Sequence, residues 1–129
     1  VLDTYSWELP GGGAAINQSG LNVAQSELLE ETGIEARNWL LILNAFVAPG
    51  TLDEISRGYV AWGLKYGEPR PGSDEQLQVR RLPFCDALEM ALRGEIQHVS
   101  SVALLTSVEI MRYQGQLPDE LSELLMRTN

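Results

Sequence analysis

Three glutamates, Glu27, Glu30 and Glu31, stand within five positions of the stretch SELLEETG, Ser26 to Gly33. At i, i+3 and i+4 they share one face of a helix, with Cβ atoms ~5–6 Å apart. Leu28 and Leu29 point largely the other way, toward a core. Such a face is costly. Like charges at i,i+4 repel by about 0.2–0.5 kcal/mol. The cluster also occupies the last turn of the helix, where the negative end of the dipole disfavours each anion by ~0.3–1 kcal/mol. The neighbours one turn away are Val23, Ala24, Ile34 and Glu35, and none is a cation. A solvated acidic face is the plain reading of such a cluster. A divalent cation is the other. Hard Mg2+ takes carboxylate oxygens, keeps several waters and completes its shell with substrate phosphates.

These carboxylates need elements to position them. Leu21, Val23, Ala24, Leu28 and Leu29 recur at helical spacing and predict a helix from about Gly20 to Thr32. Ser19 suits its N-cap and Gly33 its C′ position. Before it, WELPGGG (Trp7 to Gly13) reads as a short strand or turn. Trp39 to Val47 predicts a strand apolar enough to be buried on both faces. Ser56 to Tyr66 predicts a second strand, and GEPRPGSDEQ a turn-rich loop. Leu77 to Leu82 alternates as a half-buried strand. Helices follow at Asp86 to Leu92, Val99 to Tyr113, and from Pro118-Asp119 to about Arg127. The stripe Val102, Leu105, Val108 and Met111 reads as core or dimer contact, and Trp7, Trp39 and Trp62 as core. The strands are too few and too irregularly spaced for a doubly wound series. An α/β sandwich, with helices on a mixed sheet, fits better.

The bulk properties bound the function. With 129 residues and 44% apolar content, residues 1–129 read as one globular domain. A formal net charge of −9 argues against nucleic acid as a partner. It permits a small anionic substrate where a metal supplies local positive charge. No apolar run approaches the ~18 residues of a membrane span. The first residues have no basic start and no apolar signal core, so nothing suggests export. Cys85 is the sole cysteine; it excludes an internal disulfide, fits a reducing cytoplasm and reads as a small packing residue.

The segment Gly12 to Ile34 resembles the Nudix box. That family's pattern is Gly, five residues, Glu, seven residues, then Arg-Glu-apolar-x-Glu-Glu-x-Gly-apolar. Gly12 takes the first place, and Glu27-Leu28-Leu29-Glu30-Glu31-Thr32-Gly33-Ile34 fill the end. Two positions depart: Gln18 stands in place of Glu and Ser26 in place of Arg. The loss of both charges leaves neither without its opposite. Pro49 follows Gly33 by sixteen positions, and FVAPGTLDEISRGYVAWGL resembles the segment that marks ADP-ribose pyrophosphatases within Nudix. SDEQLQVRRLPFCDALEMALRGEI is similar to the same subfamily's catalytic loop, strand and helix. Only six residues precede Trp7, where such enzymes carry further strands. The resemblance therefore implies an α/β/α sandwich lacking the usual N-terminal strands. Either the chain is a fragment, or its fold is completed differently, for example by a partner subunit.

The resemblance implies Mg2+-dependent hydrolysis of a nucleoside diphosphate derivative, with ADP-ribose giving AMP and ribose 5-phosphate; Mn2+ is the substitute metal. It assigns Glu27, Glu30 and Glu31 to the metal, with the Gly11 carbonyl as a further ligand. Gly12, in the PGGG turn, would let the backbone approach metal and phosphates. Glu75 in GSDEQLQV matches the place of the general base, with Asp74 as fallback and an exposed loop acid as the plain reading. Glu54 could touch the distal ribose, although an exposed acid is the simpler reading there. His98 reads as a capping or surface residue. A homodimer is expected from the family. Two other readings remain: a nucleotide-binding or regulatory module without turnover, motivated by Gln18, Ser26 and the short N-terminus, and a purely structural acidic domain.

Overall fold

Periodicity and caps place the helices. A computed structural model of the chain describes residues 5–14, 18–70 and 77–128. The elements are α1 (Gly20–Thr32), β1 (Ile34–Phe46), β2 (Ile55–Tyr66), α2 (Phe84–Leu92), α3 (Val99–Tyr113) and α4 (Asp119–Leu125). Both Ser19 and Gly33 cap α1 as their residue types predict. Pro118 stands before the first turn of α4, where Asp119 and Glu120 meet the positive end of its dipole. Among the described residues, no helix is long and apolar enough to cross a membrane.

β1 and β2 form a two-stranded antiparallel hairpin. Close to its turn, the Val47 N–H donates to the Glu54 C=O at 3.1 Å. At its open end, the Gly67 N–H donates to the Gly33 C=O at 2.8 Å. The chain divides into two compact units. The first comprises Val1–Leu9, Ile42–Gly58 and Leu82–Asn129. Its core is helical: Met90, Ala91, Ile96 and Leu105 are buried, with Leu9, Leu82, Phe84 and Val102 packed on them. Val108, Leu117 and Leu121 are buried as well. Full burial of one such leucine is worth ~1.5–3 kcal/mol. The stripe on α3 is thus core at Leu105 and Val108, with Val102 and Met111 half-buried.

The second unit comprises Pro10–Leu41 and Tyr59–Arg81. It holds α1 and the open end of the hairpin. Among its described residues only Gly33 is buried. Trp39 meets the Tyr59 ring edge-on at 6.2 Å, and its Nε1–H donates to the Ala36 C=O at 3.1 Å.

Several expectations need correction. The described sheet is an antiparallel pair rather than a mixed sheet. Leu77 to Leu82 form no strand; they pair with no other strand among the described residues, and Leu77, Val79 and their neighbours to Arg81 are exposed. Alternation supplies a pleat but no ladder, and without a ladder partner the pattern is not enough. β1 begins at Ile34 instead of Trp39. Its early residues alternate half-buried Ile34, Ala36 and Asn38 with exposed Glu35 and Arg37, a one-sided strand that an apolar-run criterion overlooks. Nor is β1 buried on both faces, since Leu41 and Phe46 are exposed. Leu28 and Leu29 are only half-buried, and no side chain of α1 is buried. Trp7 is exposed, and Trp39 and Trp62 are half-buried. Cys85 is exposed because its helix turns Ala87, Leu88 and Ala91 to the core instead. Of the two alternatives for WELPGGG, the strand is absent and the chain bends at Pro10.

Candidate active site

Building the site begins with the ends of α1. The Ser19 Oγ accepts the Asn22 N–H at 3.3 Å and fixes where the helix starts. At the other end Gly33 adopts φ +75°, and its N–H donates to the Leu29 C=O at 2.8 Å. This left-handed residue turns the chain from helix into β1 with no linker. The Thr32 hydroxyl donates to the Leu28 C=O at 2.5 Å and accepts the Ile34 N–H at 3.2 Å, so it braces the same corner.

Two further segments of the same unit meet α1. After β2 the chain passes along the helix end: besides the Gly67–Gly33 bond, the Arg70 N–H donates to the Glu30 C=O at 2.7 Å. These bonds satisfy carbonyls that a helix terminus leaves open. On the other side lies the glycine loop. The Gly11 N–H donates to the Glu31 Oε2 at 3.0 Å. Gly12 lies so close to Glu27 that a Cβ placed on it would stand 2.5 Å from the Glu27 Cδ and Oε1. Glu27 and Glu31, one turn apart, therefore address the same two glycines. Glu30, on the same helix, is exposed.

The structure thus brings Glu27 and Glu31 together on the loop, while Glu30, expected on the same face, is exposed. Gly11 meets Glu31 through its N–H. Gly12 stands against Glu27. Glu54 is exposed, in the other unit, with its carbonyl bonded to Val47. Glu75 and Asp74 lie outside the described residues. Among the described residues, no three histidine, cysteine or acidic side chains are gathered closely enough to hold a metal. The donor type nevertheless suits a hard divalent cation, since every candidate is a carboxylate oxygen. The missing Cβ at Gly12 also leaves the Glu27 carboxyl the space it occupies.

Sequence reasoning missed the segment Gly67 to Arg70. Its motif is unremarkable, but its place follows from the hairpin. A strand that begins at Ile34 and pairs with one that ends at Tyr66 must return residue 67 to residue 33.

The first unit holds a separate polar cluster. His98 is the N-cap residue of α3; its Nδ1 lies 2.8 Å from the Ser101 Oγ, and its Nε2 3.6 Å from the Glu8 Oε1. This arrangement has the membership of a nucleophile triad but not its access. Ser101 is 2% exposed, and its Oγ already accepts the Leu9 N–H at 3.0 Å. It pins Leu9 to α3; His98 holds the N-cap position of α3 but its side chain caps no backbone N–H, meeting the Ser101 hydroxyl instead.

No protein-family model matches the chain. Similar proteins are nevertheless found. The chain is 37% identical over 102 residues to an ADP-ribose pyrophosphatase of Mycobacterium tuberculosis, covering 76% of this chain and 48% of that protein. It is 31% identical over 97 residues to a GDP-mannose pyrophosphatase of Salmonella arizonae, covering 70% of this chain and 49% of the relative. It is also 30% identical over 107 residues to a methanol dehydrogenase activator of Bacillus methanolicus, covering 83% of this chain and 55% of the relative. The chain spans about half the length of these relatives.

Proposed function

We propose that the chain belongs to a Nudix-type pyrophosphohydrolase that splits the diphosphate bridge of a nucleoside diphosphate derivative, with ADP-ribose as the preferred substrate. The observation that carries this reading is the convergence of Glu27 and Glu31 on the Gly11–Gly12 loop. Two relatives support it, because both are named for pyrophosphatase activity on a sugar joined to a nucleotide.

On this reading Glu27, Glu30 and Glu31 would hold Mg2+ or Mn2+, with the Gly11 carbonyl as an added ligand. When bound, the metal neutralises phosphate oxygens and lowers the pKa of an attacking water. The chain supplies the rest. The Gly11 N–H keeps the Glu31 carboxylate oriented on the glycine loop. Gly12 lets the backbone close on Glu27, where any side chain would intrude. Glu75 accepts the proton of the water as its oxygen bonds to phosphorus, while the bond from phosphorus to the bridging oxygen breaks. AMP and ribose 5-phosphate leave. Glu54 contacts the distal ribose. The working form is a homodimer in the cytoplasm.

Release of AMP from ADP-ribose in Mg2+, followed by chromatography and lost in Glu31→Gln, is the expected result. A folded wild-type protein inactive on a panel of nucleoside diphosphate derivatives would sink this reading.

The similarity to a protein named as an activator favours a second reading, a nucleotide-binding regulatory module without turnover. Calorimetry separates the two: tight ADP-ribose binding with no product formed identifies the module.

A further inference from the structure

We propose that Arg70 binds the diphosphate of the substrate; the inference rests on the pyrophosphatase reading above and adds a residue to it. The charge balance motivates the search. Glu27, Glu30 and Glu31 together carry three formal negative charges, and α1 contains no cation. A nucleotide-linked diphosphate adds about two more, so a single divalent metal leaves the site strongly negative. A positive group close to this helix would favour the settling of an anionic substrate there.

Among the described residues, the second unit offers Arg37, Lys65, Arg70, Arg80 and Arg81. Arg37 stands on β1 and Lys65 on β2, both exposed. The Arg81 guanidinium lies over the Tyr66 ring, 4.8 Å from its centroid. Arg70 differs from all of these. Its own backbone is bonded to the acid-bearing helix, N–H to the Glu30 C=O at 2.7 Å, and the Gly67–Gly33 bond holds the same segment a few residues earlier. Pro69 and Pro71 flank it in the sequence. Proline fixes its own φ and also restricts the residue before it to extended backbone, so Arg70 is presented from a stiff segment.

Its side chain is exposed and makes no ion pair among the described residues. An arginine whose backbone is tied to the acid-bearing helix, and whose side chain makes no such pair, keeps its planar fork available. That fork matches two phosphate oxygens at once, which a lysine cannot do.

The test compares wild type, Arg70→Ala and Arg70→Lys by calorimetry with ADP and with AMP in Mg2+, and by Mn2+ binding without nucleotide. Arg70→Ala should weaken ADP roughly tenfold, the scale of one charge-assisted hydrogen bond. AMP and Mn2+ should change much less, and Arg70→Lys should fall between. With ADP-ribose, KM should rise about as much as the ADP dissociation constant while kcat changes little. Wild-type ADP affinity in Arg70→Ala overturns the proposal and leaves the pyrophosphatase reading intact. So does an equal loss of Mn2+ and ADP, which marks Arg70 as a support for the carboxylates. A wild-type protein that neither binds ADP nor cleaves ADP-ribose removes both.

Discussion

At Gly12 and Glu27 a substitution can test the proposed metal site separately from the fold. A Cβ at position 12 would stand 2.5 Å from the Glu27 carboxyl, closer than real Cβ contacts allow. The obstructing atoms are the free end of a flexible side chain, so they can move aside. Gly12→Ala should therefore change stability by less than ~1 kcal/mol. The displaced carboxylate should nevertheless lower Mn2+ affinity about 10–100-fold, the range seen when groups that orient a metal ligand are lost. Thermal melts alongside Mn2+ titration check this; a normal Mn2+ affinity with an intact fold would remove Gly12 from the site. At this scale the sequence was informative. Helical spacing and the Nudix-like pattern pointed to Glu27, Glu31, Gly11 and Gly12, and the structure brings these four together. It could not show that Glu30 would face solvent, because spacing sets a face and not the approach of a loop. Arg70 was invisible, since its relation to Glu30 depends on two strands pairing.

Between elements, the same substitution has the opposite outcome at Gly33. This residue joins α1 to β1 at φ +75°, where a non-glycine residue costs ~1–2 kcal/mol. A Cβ there would also run into the Gly67 carbonyl oxygen and the Glu68 backbone, neither of which can swing away. Gly33→Ala should destabilise by at least ~2 kcal/mol, read as a lower urea midpoint. On α3, Arg112 Nε and Nη2 donate to both carboxylate oxygens of Glu109, at 2.9 and 2.6 Å. Those hydrogen bonds hold the Glu109 carboxyl below the usual carboxylate range, against an opposing effect of partial burial. The sign of the linkage follows: the unfolded chain protonates Glu109 at a higher pH than the folded one. The stabilisation is complete above the unfolded value, about 4.3, and fades as pH falls through the lower folded value. The difference in melting temperature between wild type and Glu109→Gln should shrink on acidification below about pH 5; a constant difference would show that the pair is not titrating. Helices with caps were legible in outline, and α1 and α3 match their predicted limits. The strands were less so. A local alternation at Leu77 to Leu82 carries no information about whether a partner strand exists, and the polar start of β1 hides behind Glu35 and Arg37.

Across the whole chain, the buried core and the candidate site fall in different units. Among the described residues, every buried apolar side chain belongs to the unit built on α2, α3 and α4. The unit that carries the glutamates buries only Gly33 among its described residues. It is held by caps, a hairpin end and loop-to-helix hydrogen bonds, which are worth about 0.5–1.5 kcal/mol each and offset little chain entropy. Composition could not show this division, because apolar content is averaged over the chain. Two consequences follow for amide hydrogen exchange. Without ligand, Gly20–Thr32 should exchange much faster than Val99–Tyr113, since opening a poorly buried segment costs less than global unfolding. Mg2+ that binds only the folded glutamates should then stabilise by RT ln(1 + [Mg2+]/Kd), roughly 2.7 kcal/mol at a hundredfold excess over Kd. That gain should appear in α1 as up to about a hundredfold slower exchange and leave the core of α3 nearly unchanged. Equal ionic strength of NaCl should not reproduce it, and Glu27→Gln with Glu31→Gln should abolish it. Uniform slowing across both helices, or slowing that survives the double substitution, would place the bound cation elsewhere on this acidic surface.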